Sequence, residues 1–514
     1  MASLLDLGAA ETARAIVEGR LSAAETVRSH IQCIERVNPK LNAVVWKRFE
    51  QAEAEATQVD AQRREGAKLP PLAGVPITLK ECLDLEGTPS TFGLPSRAKT
   101  MATSDERHVR ALREAGAIVL GKTNVAQMLL FVETDNPLYG RTNNPWDVTR
   151  TTGGSSGGEG AIIAARGSCL GLGTDIGGSV RIPAHFCGIV SIKPTAGRCP
   201  DAGRYSYPIG QQVIESQVGV MANSTGDIAL GLDVINRANL NDNGVYAPLG
   251  DPASVDLSKL TVGYYADDGV TSVCPTGQRA VREAADVLRA AGASVFEWKP
   301  TTVATAQELY FAAMTAGGSA FKDILGRNKA DPRIAALLGT ASMSNRRARW
   351  LATLLGLTGQ AETARVLRAF GNRDTAAYWD VARQVVDFRN SFAKAMNDAN
   401  RMDLILAPGF AVPAAPHGAS TDPAFLGTHT ILYNVLGYPA GIVPWTRVRP
   451  NEERGPEVQH LTPAQRRNVN GGAGLPFGVQ VIARPWREHV ALAAMEMLEA
   501  TARKRSDYPS KPSL

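Results

Sequence analysis

The chain has 514 residues, of which 44% are apolar and 20% are charged, a composition typical of a globular protein with a large core. Its net charge of +5 comes from 55 basic and 50 acidic residues spread along the chain, which argues against a concentrated nucleic-acid-binding face. Six cysteines occur without a CxxC pair or a neighbouring histidine cluster, so no zinc site is expected.

The first 65 residues predict an N-terminal helical layer. Ser22 is a candidate N-cap for a helix in which apolar residues recur at helical spacing from Val27 to Ile34. Residues 51–65 continue as a charged, alanine-rich helix. The N-terminus lacks the basic and apolar regions of a signal peptide, so we expect a cytoplasmic protein.

Residues 66–497 alternate between apolar, strand-like segments and helical segments. This alternation predicts an α/β fold in which one large mixed β-sheet is covered by helices. Residues from about 300 to 400 are mostly helical in pattern, which predicts a helical insertion, and the polar tail 498–514 is predicted to be mobile. The predicted strands lie within 74–85, 117–124, 260–269, 293–298, 402–408 and 474–486.

Two glycine clusters, each with a serine, lie in the segment 153–198, as GGSSGG and as IGGS. Consecutive backbone N–H groups in such loops can bind a developing negative charge, and glycine lets the backbone approach a reacting group closely. A single glycine pair is an ordinary turn. Two serine-containing clusters on either side of an apolar stretch are much less common and indicate serine chemistry.

Generic motifs elsewhere carry less information. Residues 116–123 fit the phosphate-loop pattern GxxxxGK[ST], but the variable positions AIVL favour a buried strand, so the fit is interpreted as accidental. Residues 154–158 fit the hydrolase pattern GxSxG, but they follow a loop where that motif needs a strand. His185 lies beside the apolar residues FCGIV, which is more typical of a core histidine than of a catalytic base.

A serine nucleophile needs a base, and Lys80 is the candidate. It ends the apolar segment GVPITLK, where burial would disfavour the charged ammonium and lower the pKa. The alternative is a lysine at a strand end whose amine reaches water, and the residues alone leave both interpretations open.

With these residues in view, the chain resembles the amidase signature family. The segment 153–198 resembles that family's signature, GVPITLK resembles the segment of its catalytic lysine, and the similarity extends over about residues 5–497. The resemblance implies an amidase signature fold with helices on both faces of the sheet. It also implies amide hydrolysis through an acyl-enzyme, with Ser179 as nucleophile, Ser155 as bridging serine in a cis peptide and Lys80 as base.

Further site residues follow from the same resemblance. The oxyanion-binding N–H groups correspond to Ile176, Gly177, Gly178 and Ser179. The residues expected to brace these loops without reacting are Ser156, Asp175 and Arg181. The resemblance implies no cofactor and no metal. The expected partner is a small-molecule amide substrate, nucleic acid is not expected, and a homodimer is left open.

Within the family, several segments look most like fatty acid amide hydrolase and its relatives. By that analogy Met128, Leu129 and Leu130 line an acyl-binding channel, which favours lipophilic acyl or aryl amides, with esters and carbamates also cleaved in the family. The segment 346–357 would form a lid or a cap in transient contact with a membrane surface, because apolar residues follow three basic ones. The alternative is a core-packing helix.

Three rival functions stay open. The first is the A subunit of a tRNA-dependent amidotransferase, which belongs to the same family but acts in a complex. The second is a non-catalytic binding protein on the same fold, against which the filled triad positions argue. The third is nucleotide binding through residues 116–123.

Overall fold

The structure is a computed structural model that describes residues 4–201, 211–238, 246–341, 343, 345–357, 360–422, 425 and 427–514. In these ranges, eleven strands form one sheet in the order β1-β3-β2-β4-β6-β5-β10-β11-β9-β7-β8. The strands are β1 (Val44–Lys47), β2 (Pro76–Lys80), β3 (Ile118–Thr123), β4 (Leu170–Asp175), β5 (Val190–Lys193), β6 (Gln217–Ala222), β7 (Thr261–Tyr264), β8 (Ser294–Glu297), β9 (Leu404–Pro408), β10 (Ala440–Arg447) and β11 (Pro476–Ala483).

Helices connect and cover these strands. They are α1 (Ala9–Val17), α2 (Ala23–Leu41), α3 (Phe49–Arg64), α4 (Arg107–Glu114), α5 (Gly157–Ala164), α6 (Arg181–Cys187), α7 (Thr225–Arg237), α8 (Pro275–Ala290), α9 (Val303–Met314), α10 (Gly318–Leu325), α11 (Pro332–Ala341), α12 (Asn345–Leu357), α13 (Ala361–Ala369), α14 (Thr375–Asp398), α15 (Thr428–Leu436), α16 (Pro463–Val469) and α17 (Glu488–Ala502).

The sheet is mixed. Strand β2 runs parallel to β3 and β4, and β7 runs parallel to β8 and β9, whereas β10 pairs antiparallel with β5 and β11. Buried residues on both sides of each central strand explain why these segments are apolar throughout instead of alternating with polar residues. The fold is therefore the α/β arrangement that the alternating sequence pattern predicts.

Successive side chains of a strand point to opposite faces, and the two faces carry different helices. On one face, Val119, Leu404 and Val479 belong to a core cluster shared with α4, α7, α8 and α17. On the other face, Ile118 packs with α2, α3 and α5, and Ile405 packs with α9, α14 and α15. The catalytic candidates lie on this second face, between its two groups of helices.

Two parts of the chain differ from their sequence prediction. The N-terminal helical layer contains the edge strand β1, which pairs antiparallel with β3. Four residues are too few to show a period, so pairing with β3 decides this strand. The end of the chain, predicted as a mobile tail, packs on the sheet: Thr446 donates a hydrogen bond of 2.7 Å to Asp507, and the Arg505 guanidinium lies 5.0 Å from the Trp445 ring.

The region from about 300 to 400 is helical, as predicted, and consists of α9 to α14. The stripe Val381, Val385, Phe388, Phe392 and Met396 on α14 is buried in the core, as its three- and four-residue spacing indicates. Among the residues that the structure describes, no helix is both long and apolar enough to cross a bilayer. All six cysteines are buried.

Candidate active site

Lys80 is the last residue of β2 and is completely buried, although lysine is rarely found in such a position. Its amine donates hydrogen bonds to Ser155 Oγ at 2.8 Å, to Thr174 Oγ1 at 2.8 Å and to the Thr174 carbonyl at 3.2 Å. Burial lowers the pKa of Lys80, because removal from water disfavours the ammonium form. The side chain therefore does not reach water as a strand-end lysine would.

A buried carboxyl group on α5 faces the same strand. Glu159 accepts hydrogen bonds from Thr78 at 2.7 Å and from Thr123 at 2.9 Å. Burial raises the pKa of Glu159 to about 8. A protonated, uncharged Glu159 does not attract a positive charge onto Lys80, so this neighbour is compatible with a neutral amine.

Ser155 and Ser156 lie immediately before α5, and the peptide bond from Gly154 to Ser155 is cis. In chain order the strand before residues 154–158 is β3, which ends at Thr123, so a loop and not a strand leads into the GxSxG motif, as the sequence indicated. The Ser156 N–H donates to the carbonyl of Ser179 at 3.2 Å, which joins the first serine loop to the second. Ser156 is fully buried, and its hydroxyl oxygen has no hydrogen-bond partner among the described residues.

The loop that carries Ser179 is held by a buried ion pair between the end of β4 and the start of α6. Asp175 accepts from Arg181 Nη2 at 2.9 Å and Nε at 3.1 Å, from the Gly178 N–H at 2.8 Å, from the Val180 N–H at 3.1 Å and from Asn434 Nδ2 at 2.9 Å. Burial alone would raise the pKa of Asp175, but Arg181 and these hydrogen bonds hold it well below its ordinary value. This geometry fits the expected role of Asp175 and Arg181, which is to hold the loop in place without reacting.

The four residues of the predicted oxyanion loop are not equivalent. Ile176, Gly177 and Ser179 are half-buried and line the cavity described below, whereas Gly178 is buried. The Gly178 N–H is already bonded to Asp175, so the structure removes it as an oxyanion donor. The prediction for this residue is corrected, because the carboxylate that shapes the loop uses that donor.

One cavity of about 360 Å³ opens onto these groups, and Ser155, Thr174 and Ser179 lie in its surface. We use the name sheet wall for the side of the cavity lined by Ser155, Thr174, Ile176, Gly177 and Ser179, together with the fully buried Lys80, Asp175 and Arg181 that hold these residues. The helical wall opposite comes from α9 to α11. Further lining residues are mostly apolar: Met128, Leu129, Leu130, Phe131, Tyr310, Phe311, Met314, Phe321, Leu337, Leu338, Phe370 and Phe425.

The three residues expected to line an acyl channel, Met128, Leu129 and Leu130, all line this cavity. The segment 346–357 does not belong to the cavity lining within the described part of the chain. It forms most of α12, whose Ala348 and Ala352 pack on α13, while Trp350 is 67% exposed. The helical wall that closes the cavity is therefore α9 to α11 and not the segment singled out in the sequence.

The other candidate motifs have structural roles. Lys122 of the phosphate-loop-like segment lies in β3, where its amine donates to the Pro89 carbonyl at 2.6 Å and to Ser90 Oγ at 2.9 Å. The segment is a strand and forms no phosphate-binding loop. His185 is a core residue, since its ring accepts from the Gly478 N–H at 3.1 Å and burial lowers its pKa to about 3.

Some site residues were not predicted from the sequence. Thr174 accepts a hydrogen bond from Lys80. It directly precedes Asp175 and the glycine loop, and this position could have marked it as a site residue in the sequence. Thr430 donates to the Gly177 carbonyl at 2.8 Å, and Tyr310 lines the cavity. These two residues lie on α15 and α9, far along the chain from the serine loops, and no local motif marks them.

Comparisons with known proteins identify the family of this chain. Residues 25–492 match the family model described as Amidase. The chain is 34% identical over 511 residues to fatty acid amide hydrolase 1 of Caenorhabditis elegans, covering 92% of this chain and 86% of that protein. It is 42% identical over 293 residues to indoleacetamide hydrolase of Bradyrhizobium diazoefficiens, covering 56% and 55%.

A solved structure of a fatty acid amide hydrolase superposes with a TM-score of 0.82 at 24% identity, covering 96% of this chain and 85% of that one, and so supports the fold. The family match spans most of the chain, and the relatives hydrolyse amides. The protein is therefore a member of the amidase signature family, an enzyme that hydrolyses amide bonds.

Proposed function

We propose that the protein hydrolyses lipophilic acyl or aryl amides, and also esters and carbamates, through a Lys80–Ser155–Ser179 triad and an acyl-enzyme. The observation that carries the proposal is the bond of 2.8 Å between the completely buried Lys80 amine and Ser155 Oγ, in the wall of a cavity that Ser179 also lines. A buried lysine bonded to a serine at a cavity is the arrangement that serine activation without histidine requires.

In this mechanism the neutral Lys80 amine takes the proton of Ser155 as Ser155 takes the proton of Ser179. Ser179 Oγ bonds to the amide carbon, and the negative charge moves to the carbonyl oxygen beside the loop N–H groups. The proton then returns through Ser155 to the leaving amine, which departs as a neutral molecule. Water next attacks the acyl-enzyme by the same route. The lowered pKa of Lys80 supports its role as base.

The lining of the cavity supports the substrate class. Apolar side chains of the helical wall and of residues 128–131 surround the space beside Ser179, which favours burial of an alkyl or aryl group over a small polar one. The names of two relatives, fatty acid amide hydrolase 1 and indoleacetamide hydrolase, cover one alkyl and one aryl acyl group. A cavity of about 360 Å³ can hold either type.

The test is hydrolysis of p-nitroanilides with acyl chains of increasing length by wild type, Ser179→Ala and Lys80→Ala. Both variants should lose turnover, and rates should rise from acetyl to longer acyl or aryl groups. Intact-mass analysis after fluorophosphonate treatment should show one adduct, on Ser179. Best rates with acetyl substrates would contradict the substrate class, and an adduct elsewhere would contradict the triad.

The amidotransferase subunit is the remaining alternative, and no contact of the described residues favours it. It predicts a folded protein that is inert alone and that co-purifies with partner subunits. Turnover of an anilide by the isolated chain at rates lost in Ser179→Ala would exclude it.

A further inference from the structure

A tyrosine of the helical wall, Tyr310 on α9, faces the Ser179 loop. It lines the cavity together with Gly177 and Ser179. A Cβ atom built on Gly177 would lie 2.5 Å from Tyr310 Oη, so the hydroxyl is in van der Waals contact with the loop backbone. Any side chain at Gly177 would collide with this hydroxyl. The contact places a polar side-chain atom beside the backbone that is expected to hold the oxyanion.

The hydroxyl of Tyr310 can act as a hydrogen-bond donor. Within the described ranges, no residue forms a hydrogen bond with Tyr310 Oη. The ring is held edge-on by Phe311, with centroids 5.3 Å apart and an interplanar angle of 88°. Burial raises the pKa of Tyr310, so the hydroxyl keeps its proton at neutral pH. Because the half-buried Tyr310 lines the cavity, its hydroxyl is available to donate to a ligand bound there.

The adjacent backbone lacks one donor that the family resemblance assigns to it. The peptide between Gly177 and Gly178 is bonded on both sides: its N–H donates to Asp175, and its carbonyl accepts from Thr430. This peptide cannot rotate to offer its N–H to a substrate without breaking a buried bond. A further donor would have to come from a side chain on the cavity side of the loop.

We propose that Tyr310 Oη donates a hydrogen bond to the substrate carbonyl oxygen as that oxygen becomes negative. The inference rests on the proposed function, because it requires Ser179 to be the nucleophile. As Ser179 Oγ bonds to the carbonyl carbon, an electron pair moves from the C=O bond to oxygen, and Tyr310 stabilises this charge while keeping its own proton. The bond strengthens in the transition state, so the hydroxyl acts on kcat more than on KM.

The experiment compares wild type with Tyr310→Phe, which removes only the hydroxyl. The substrates are a p-nitroanilide and a p-nitrophenyl ester with the same acyl group. Loss of one oxyanion donor typically costs on the order of 100-fold in kcat, so a fall of at least about tenfold is expected with little change in KM. Amide and ester should lose similar factors, because both form the same oxyanion.

A trifluoromethyl ketone with that acyl group provides a second measurement, because its adduct with Ser179 carries the same negative oxygen. Its affinity should fall in Tyr310→Phe by a factor similar to kcat. The matched control is Tyr378→Phe, a tyrosine on α14 that is not in the cavity lining, and wild-type values are expected for it. Thermal unfolding of each variant shows whether the fold is intact.

The outcomes separate this inference from the triad. If Tyr310→Phe keeps the wild-type kcat and ketone affinity while fluorophosphonate still labels Ser179, the Tyr310 proposal is overturned and the triad stands. A loss with the anilide alone would also overturn it, because the hydroxyl would then contact the leaving amine. A wild type that is neither labelled nor active would overturn both proposals.

Discussion

The two walls of the cavity differ in how their side chains are held. In the sheet wall, Lys80 and Asp175 are completely buried, and every charge there is either bonded to several partners or carries a shifted pKa. The helical wall presents mostly apolar side chains to the cavity, and its polar contacts with residues 127–135 lie around the start of α11: Gln127 Nε2 donates to the Lys329 carbonyl at 2.9 Å, and Arg333 forms an ion pair with Glu133 at 3.0 Å.

This difference indicates that the two walls have different roles. Removing one partner from a buried polar network leaves the other desolvated and unpaired, so the sheet wall tolerates little change. The helical wall lines the cavity mainly with apolar side chains, where a substitution alters the shape of the cavity without leaving a buried charge unpaired. Changes in the sheet wall should therefore affect all substrates, and changes in the helical wall should affect some substrates more than others.

The largest loss of activity should come from replacing the buried Lys80. Lys80→Met removes the base and should lower kcat on the order of 1000-fold for every substrate. Lys122→Met is the matched control, because Lys122 is equally buried on the neighbouring strand but bonds Pro89 and Ser90 instead of a cavity serine. Turnover per folded molecule should survive in the control, and an equal loss in both variants would contradict the role of Lys80.

The next effect concerns stability. Asp175→Asn leaves the buried Arg181 uncompensated and should lower the free energy of unfolding by about 3 kcal/mol. Urea denaturation followed by circular dichroism measures this change. Asp380→Asn, in an exposed pair with Arg383 on α14, should leave the urea midpoint unchanged. Equal midpoints for Asp175→Asn and wild type would show that the sheet wall is not held by this pair.

The pH dependence of kcat/KM tests the charge state of Lys80. The base works only when deprotonated, and burial lowers its pKa, so activity should be complete above that lowered value. Below it, kcat/KM should fall about tenfold per pH unit as one proton is bound. The midpoint should lie well below the ordinary lysine pKa. A rate that still rises with pH at the ordinary lysine value would contradict a neutral amine.

A smaller and selective effect is expected in the helical wall. Leu337→Trp on α11 enlarges a side chain that lines the cavity and should lower kcat/KM for the longest acyl chains by about tenfold, while the acetyl substrate changes little. Leu357→Trp, at a position 80% exposed on α12, is the control and should match wild type. A uniform loss across the chain-length series would remove the proposed distinction between the walls.

The smallest effect concerns the surface of α12. Trp350 and Leu357 are exposed on α12, whose first turns carry Arg346, Arg347 and Arg349, and we propose that this helix touches anionic membranes transiently. Trp350→Ser with Leu357→Ser should reduce sedimentation with phosphatidylserine vesicles several-fold and leave the hydrolysis of soluble anilides unchanged. Equal sedimentation of the variant and wild type would exclude a membrane contact by this face.

Much of this protein was determined by sequence alone. Uninterrupted apolar segments such as the one ending at Lys80 are typical of buried strands, and the glycine clusters around Ser155 and Ser179 favour loops that approach a reacting group closely. Local chemistry of this kind predicted the α/β class, the helical region at 300–400 and the serine loops. The resemblance to a family then assigned the roles of base, bridging serine and nucleophile to Lys80, Ser155 and Ser179.

Tertiary structure decided the rest, because contacts between distant residues have no local signature. Lys80 and Ser155 are 75 positions apart, and only the hydrogen bond between them distinguishes a buried base from a lysine whose amine reaches water at a strand end. The same holds for Tyr310, which a separate helix brings to Gly177, and for Thr430, which donates to the Gly177 carbonyl from α15. A pattern along the chain records which residues are apolar or flexible, whereas hydrogen-bond partners depend on how the elements pack.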